Sequence, residues 1–192
     1  MNTTRLEAFS DAVIAIIMTI MVLELKIPHS ADLESLKPLV PVFLSYVLSF
    51  VYLGIYWNNH HHMLQATHRV NGGILWANLH LLFWLSLVPF TTGWMGENHF
   101  ASLPTAVYGM VLLCCSIAYT ILQTTIVRNQ TEEHRLLAEA VGNDLKGKLS
   151  IVLYVVAVPL AFLNPWISDA LYIAVAVMWL VPDRRIESRI NS

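Results

Sequence analysis

Residues 4–26 read TRLEAFSDAVIAIIMTIMVLELK, and this stretch combines charged residues with a long apolar run. From Ala12 to Leu23 every residue is apolar except Thr19, whereas the residues just before this run are charged or carry hydroxyl groups. Those polar residues are Arg5, Glu7, Ser10 and Asp11. A charge at membrane depth is costly unless it faces protein or a water-filled cavity. The stretch therefore predicts a first membrane-spanning helix that also carries a functional polar site.

The periodicity of this stretch predicts a helix with two distinct faces. At about 100° per residue, one stripe roughly 100° wide collects five side chains. They are Ala12, Ile16, Thr19, Ile20 and Leu23. Asp11 projects about 100° away from Ala12, so the acid lies on a neighbouring face. An ordinary bundle helix with a buried polar cap has the same pattern, and periodicity alone leaves both interpretations open.

The composition predicts an all-α integral membrane protein with one domain, residues 1–192. The chain is 56% hydrophobic and only 12% charged, with a mean hydropathy of +0.59, whereas soluble domains carry about 25% charged residues. With a net charge of −2 and no basic cluster, nothing suggests a nucleic-acid partner. Further apolar runs predict five more membrane helices: Pro38–Trp57, Gly72–Trp94, Leu103–Val127, Leu149–Leu163 and Trp166–Val181.

Proline positions and cationic residues refine this six-helix arrangement. Pro89 predicts a kink in the third helix, Pro159 interrupts the fifth, and Asn164-Pro165 predicts a turn. Six spans place both termini on one side, with nine of the eleven lysines and arginines; only Lys26 and Lys37 lie opposite. The nine are Arg5, Arg69, Arg128, Arg135, Lys146, Lys148, Arg184, Arg185 and Arg189. Because cationic residues accumulate in cytoplasmic loops, both termini are predicted to be cytoplasmic.

A short motif in the first helix resembles the signature of a known channel family. Arg5, Phe9, Ser10 and Asp11 spell Arg-x-x-x-Phe-Ser-Asp, which is similar to the motif of the endosomal and lysosomal potassium channels and their prokaryotic relatives. Residues 56–62 (YWNNHHH) and 76–90 (WANLHLLFWLSLVPF) also resemble that family's second and third helices. The resemblance covers the first half of the chain well and the second half only by helix count.

The resemblance implies a potassium-preferring cation channel of the prokaryotic, single-repeat type in an inner membrane. It implies four chains around a central pore that the first helix lines, with potassium as the permeant ion and no cofactor. The positions that match the family's pore-lining residues are Ile16, Thr19, Ile20 and Leu23, and Ile16 matches the constriction. A ring of isoleucines is a hydrophobic barrier that closes a pore by dewetting, and Thr19 adds the one hydroxyl on the stripe. The chain has no TVGYG segment that would supply a ring of backbone carbonyls.

The resemblance also implies a polar network between the motif and the next two helices. The matching candidates are Trp57, His60, His61 and Asn78. A buried Asp11 would need donors, which an indole N–H, an imidazole and an amide supply. Such a network would fix the rotation of the first helix. Which of His60, His61 and His62 takes part is left open by the sequence.

Two other classes of membrane protein, a metal-dependent enzyme and a transporter, share parts of this pattern. Consecutive helical residues point about 100° apart, so His60–His62 cannot all face one ion, and no cysteine or second carboxylate completes a metal site at useful spacing. A membrane enzyme would need such ligands, and no metal site is expected. A secondary transporter of cations or protons is the main alternative, since Pro89 and Pro159 hint at broken helices. Asp11 is predicted to be the only acid near the interior of a span. Glu24 and Glu97 are interpreted as solvated helix-end acids or as a cation-attracting vestibule.

Overall fold

The computed structural model describes residues 3–65, 67, 69–129 and 144–180, and these residues form helices joined by short loops. Within these residues there are seven α-helices: α1 (Thr3–Ile20), α2 (Val40–Gln65), α3 (Gly72–Ser86), α4 (Val88–Glu97), α5 (Ser102–Arg128), α6 (Leu145–Leu160) and α7 (Pro165–Leu180). Two 3₁₀ turns, Met21–Glu24 and Leu33–Leu39, connect α1 to α2. The predicted all-helical class is confirmed, and the basic tail after Leu180 lies outside the described residues.

The seven helices correspond to six spans because α3 and α4 are two halves of one. In the part of the chain that the structure describes, four segments are long and apolar enough to cross a membrane: Thr3–Glu24, Leu33–Gln65, Gly72–Glu97 and Ser102–Arg128. The third is interrupted at Leu87, two residues before Pro89, whose missing N–H removes a helical hydrogen bond. The kink predicted at Pro89 is therefore confirmed.

The last two helices are shorter than the others. α6 and α7 have 16 residues each, which gives about 24 Å at 1.5 Å per residue, against a hydrocarbon core of about 30 Å. Pro159 lies in the last turn of α6 and does not break it. Pro165 begins α7, where its missing N–H costs little, and the Asn164 side chain accepts a hydrogen bond from the Trp166 amide.

Contacts between helix ends show which ends lie on the same side of the protein. On one, here called the Thr3 side, the Thr3 hydroxyl donates to the Thr67 carbonyl at 3.1 Å. On the other, here called the Lys26 side, Lys26 lies 2.6 Å from the Glu97 carboxylate. Other helix ends alternate in the same way. On the Thr3 side, Asn71 before α3 donates a hydrogen bond to Asn129 after α5, and on the Lys26 side the ring of Phe100 before α5 contacts that of Trp166 in α7.

Two buried clusters hold the helices together. The first joins α1, α2, α3 and α5 through aliphatic side chains, among them Ile14, Ile17, Leu53, Leu81 and Leu122. The second joins α2, α5, α6 and α7 around four tyrosines, Tyr52, Tyr108, Tyr154 and Tyr172. The first cluster contains the inward face of α1, so it sets which face of that helix is left uncovered.

Two glycines in α4 provide a matched test of how closely α4 packs on α2. A Cβ at Gly96 would lie 2.6 Å from the backbone Cα of Val42, whereas a Cβ at Gly93 would meet only the Glu24 side chain at 3.5 Å. Gly→Ala in a helix gains about 1 kcal/mol of helix propensity at either position, but overpacking costs about 1–3 kcal/mol. Gly96→Ala is therefore expected to lower the unfolding temperature in detergent, and Gly93→Ala to keep or raise it. Equal temperatures would show that α2 and α4 are further apart than described here.

Candidate functional site

The first helix has one face that packs inside its own chain and one face that does not. The packed face contains side chains that are at most 4% exposed: Leu6, Ser10, Ile14, Ile17 and Met21. Their spacing of three or four residues is that of a single helix face. Val13 and Met18 lie at the edges of this face and pack, half-buried, against the same core.

The opposite face carries the predicted pore-lining residues. Ile16 is 56% exposed, Ile20 is 42% exposed and Leu23 is 77% exposed. Thr19 is also exposed, and its hydroxyl donates to the Ile16 carbonyl at 2.9 Å, which leaves the oxygen able to accept or to coordinate. The α-helix ends at Ile20 rather than continuing to residue 26, but the following 3₁₀ turn keeps Leu23 in line with Ile20, because side chains at i and i+3 eclipse in that geometry.

Three fully buried polar side chains fasten α1 to α2 and α3. Asn78 Nδ2 donates to Ser10 Oγ at 2.9 Å, and Asn78 Oδ1 lies 2.7 Å from His60 Nε2. Ser10, His60 and Asn78 are each 0% exposed. We call these three residues the buried triad. Each of the three belongs to a different helix, so the triad fixes the rotation of α1 relative to α2 and α3.

The direction of the hydrogen bonds in the buried triad is set by the bond that Ser10 makes to the backbone of α1. Ser10 Oγ donates to the Leu6 carbonyl at 2.8 Å, so it accepts from the Asn78 amide. That orientation aims the Asn78 carbonyl oxygen at His60, which must then donate through Nε2. The imidazole therefore carries its proton on Nε2. The three hydrogen bonds run in one direction, from His60 through Asn78 and Ser10 to the Leu6 carbonyl.

Two acidic residues of α1 meet α2 beside the buried triad. Trp57 Nε1 donates to Asp11 Oδ1 at 3.1 Å, and His61 Nδ1 lies 2.9 Å from Glu7 Oε1. The Trp57 and His61 rings stack, with centroids 6.0 Å apart. These four residues are half-buried or exposed in the single chain, and we call them the outer pairs.

The sequence-based prediction of this network needs two corrections. Asp11 was expected to be the buried residue that needs several donors, but it is half-buried and has one described donor, Trp57, while Ser10 is the buried member. The apolar run predicted a second helix over Pro38–Trp57, but α2 spans Val40–Gln65 and therefore includes the histidines. Because the cluster is helical, His60 and His61 point to different partners, Asn78 and Glu7.

Some motif residues lie outside the network. Phe9 is 50% exposed and Arg5 is exposed, both on the uncovered face of α1, and neither is hydrogen-bonded to the triad or the outer pairs. His62 Nδ1 has no hydrogen-bond partner among the described residues, although its ring lies 5.6 Å from that of His61. The three histidines therefore differ: His60 and His61 contact the motif helix, and no such contact is described for His62.

An open groove of about 700 Å³ lies between α1 and α4 on the Lys26 side. Ile16 and Ile20 line it, with Glu24 and Glu97 near its outer end. Glu97 is paired with Lys26 at 2.6 Å, and this carboxylate raises the pKa of the Lys26 ammonium group by hydrogen bonding and by charge attraction. Of the two vestibule candidates, Glu97 is thus already paired with a cation in the single chain.

One buried acid was missed by sequence reasoning. Asp169, in the second turn of α7, is only 7% exposed, and both of its carboxylate oxygens lack a hydrogen-bond partner among the described residues. The prediction that Asp11 is the only acid near the interior of a span is therefore wrong. Asp169 is the fourth residue of the predicted helix Trp166–Val181, and its burial depends on the elements packed around α7, which an apolar run does not reveal.

The unpartnered carboxylate of Asp169 is expected to lower the stability of the protein. A buried charge without a partner is costly, and removing it leaves no described residue with a broken bond. Asp169→Asn is expected to raise the free energy of unfolding by about 1–3 kcal/mol, which a thermal melt of purified protein in detergent at neutral pH would detect. A lower melting temperature would show that Asp169 gains a partner in the assembled protein.

Comparison with known proteins places this geometry in context. The model of the family described as endosomal/lysosomal potassium channel TMEM175 matches residues 5–89, which include the motif, the histidines and Asn78. A potassium channel of Chryseobacterium sp. is 53% identical over 191 residues, covering 100% of this chain and 99% of that protein. The endosomal/lysosomal proton channel TMEM175 of Danio rerio is 27% identical over 132 residues, covering 66% of this chain and 24% of that protein. The crystal structure of a lysosomal potassium-selective channel TMEM175 homolog from Chamaesiphon minutus superposes with a TM-score of 0.81 at 29% identity, covering 93% of this chain and 96% of that one.

Proposed function

This chain belongs to the family of the potassium channel TMEM175, and from that premise we propose that it is a potassium-selective channel whose pore is lined by α1 in a homotetramer. The Chryseobacterium relative, which aligns over the whole chain, is named a potassium channel, and the Chamaesiphon homolog is described as potassium-selective. One α1 cannot enclose a pore, whereas four copies around an axis can.

The observation that carries the pore assignment is the uncovered apolar face of α1. Ile16, Ile20 and Leu23 are 42–77% exposed, although the opposite face of the same helix is almost completely buried. The buried triad and the outer pairs prevent α1 from turning this face toward its own chain. A face held outward by hydrogen bonds on the opposite side is suited to lining a shared axis.

The proposed ion path has a dry constriction followed by a hydroxyl. Four Ile16 side chains would form a ring without ligands, so an ion would have to lose hydration water there without replacement. The Thr19 oxygen lies on the next turn of the exposed face and retains lone pairs for a partly dehydrated cation. Closing the ring by dewetting would gate the channel, and opening it would admit hydrated or partly hydrated potassium.

The proposed orientation places the Thr3 side in the cytoplasm of a prokaryotic cell, in the inner membrane. Among the described residues, the Thr3 side carries five cationic side chains, at Arg5, Arg69, Arg128, Lys146 and Lys148, and the Lys26 side carries Lys26 and Lys37. The positive-inside rule assigns the richer side to the cytoplasm. Arg135 and the three arginines after Leu180 lie outside the described residues.

The decisive functional experiment is a measurement of reversal potential. The purified protein is reconstituted in planar bilayers with potassium on one side and sodium on the other. Discrete single-channel steps are expected, with a reversal potential that lies toward the potassium equilibrium potential. A transporter would instead give flux that saturates with substrate and no discrete steps, and a reversal potential near zero would contradict potassium preference.

The assembly is tested separately by mass. Native mass spectrometry or light scattering of the detergent-purified protein is expected to give four chains per particle. A single cysteine at Leu23, in a background without Cys114 and Cys115, should form disulfide-linked dimers across the axis, whereas a cysteine at Ile14, which is 0% exposed, should not. Particles of one or two chains would contradict the proposed pore.

A further inference from the structure

Two carboxylates and one imidazole converge where α1 crosses α2 on the Thr3 side. Glu7 and Asp11 are one helical turn apart on α1, and His61 is on α2. Each offers one ligand atom, and these three atoms all lie within 4.8 Å of one another. All three side chains are half-buried, so an ion from the solvent can reach them without opening the core.

The chemistry of this set differs from that of a general cation-attracting patch. Imidazole nitrogen combined with carboxylate oxygen is a ligand set that Zn²⁺ accepts, with a water molecule as fourth ligand. Calcium and magnesium prefer oxygen ligands alone. Ligand atoms about 2.1 Å from a tetrahedral zinc ion lie roughly 3.4 Å apart, so the three side chains would need to draw together by little more than 1 Å. A side-chain movement of that size does not require α1 or α2 to shift.

Neighbouring groups already hold the ligands in a suitable orientation. His61 Nε2 lies 2.9 Å from the Gln65 side-chain amide, and Trp57 Nε1 donates to Asp11 Oδ1. In a metal-bound state, rotating the Gln65 amide would let its oxygen accept from Nε2–H. His61 Nδ1, which now carries the proton that faces Glu7, would lose that proton in the other tautomer and present its lone pair to the ion. Hydrogen bonds of this kind, made by the second nitrogen of a histidine, orient most histidine ligands in metal sites.

We propose that Glu7, Asp11 and His61 form a Zn²⁺-binding site that clamps α1 to α2. The metal would neutralise two carboxylates that otherwise share the α1–α2 contact. It would also add a link between α1 and α2 directly beside the buried triad, and this link would help the triad to fix the rotation of α1. This ligand set could not be recognised in the sequence because its carboxylates belong to α1 and its histidine to α2. Along α2 itself, no further ligand lies at a useful spacing from His61.

The test is zinc binding to the purified, tag-free protein in detergent. After removal of metals with a chelator, isothermal titration with Zn²⁺ is expected to show one high-affinity site per chain. His61→Gln should lower the affinity at least about tenfold, as loss of an orienting or ligating group does. His62→Gln is the matched control, because His62 is the next residue on α2 but no contact between it and α1 is described, and it should leave the affinity unchanged.

A second variant and a second measurement keep the result interpretable. Glu7→Gln keeps a hydrogen-bonding side chain of the same size beside His61 but removes one charged ligand, and it should also lower the affinity about tenfold. Zn²⁺ should raise the unfolding temperature of the wild-type protein and of His62→Gln, but not of His61→Gln. Unchanged binding in both His61→Gln and Glu7→Gln, or an equal loss in His62→Gln, would overturn the proposal. Because binding and unfolding are measured without ion flux, these outcomes are independent of whether the protein conducts potassium.

Discussion

Replacing Ile16 with Asn is expected to raise the resting current by about tenfold or more and to weaken discrimination between potassium and sodium. The amide would wet the ring that four Ile16 side chains form and would offer ligands to a dehydrating ion. A tenfold larger current requires the barrier to permeation to fall by only about 1.4 kcal/mol. A hydrogen bond to a charged group is worth about 1.5–3 kcal/mol, so a polar ligand for the cation could supply this amount. Single-channel recording in bilayers, with reversal potentials in mixed potassium and sodium solutions, measures both effects.

The controls for this prediction lie on the same helix. Val13 and Met18 are half-buried against the chain's own core, whereas Ile16 is 56% exposed. Asn at either control position should change permeation much less, although it introduces a polar group beside the core and is expected to lower stability. Elution volume and melting temperature separate that loss from a change in conduction. If Val13→Asn raised the current and Ile16→Asn did not, α1 would be rotated from the arrangement proposed here, and all four pore-lining assignments would fail.

Helical period placed Ile16, Thr19, Ile20 and Leu23 on one stripe, and the resemblance to the channel family implied that this stripe lines the pore. The motif residues Ser10 and Asp11 mark where polar contacts to other helices begin. The break at Leu87 was likewise predictable, since Pro89 removes a hydrogen bond whatever surrounds it.

Features that depend on packing between distant segments could not be predicted in the same way. The burial of Asp169 depends on the elements packed around α7, and nothing within residues 165–180 indicates how deep that turn lies. The convergence of Glu7 with His61 depends on how α1 crosses α2. The sequence also indicated a polar segment after Trp57, where α2 continues for eight residues to Gln65. Histidine and asparagine are weak helix formers, and the contacts of this segment with α1 and α3 offset that weakness.

Replacing Asn78 with Leu is expected to be the most destabilising single change in the polar network. Leu has nearly the same shape, but it leaves the His60 Nε2–H donor and the Ser10 oxygen buried without their partner. Each unpaired neutral group costs about 1–3 kcal/mol. Asp11→Ala should reduce expression or conductance but cost less stability, because its donor Trp57 is 43% exposed and water can replace the bond. Melting temperature and the yield of assembled protein measure the difference.

Asn59→Leu is the matched control for Asn78→Leu, because the described hydrogen bond of the Asn59 side chain goes only to the Ile55 carbonyl within α2. It should cost little stability. Asn78→Leu should lower stability and conduction together, since releasing the rotation of α1 also misplaces the Ile16 ring, whereas Ile16→Asn should change conduction with stability nearly intact. If Asp11→Ala proved more destabilising than Asn78→Leu, the pair of Asp11 with Trp57, rather than the buried triad, would be the main anchor of the pore helix.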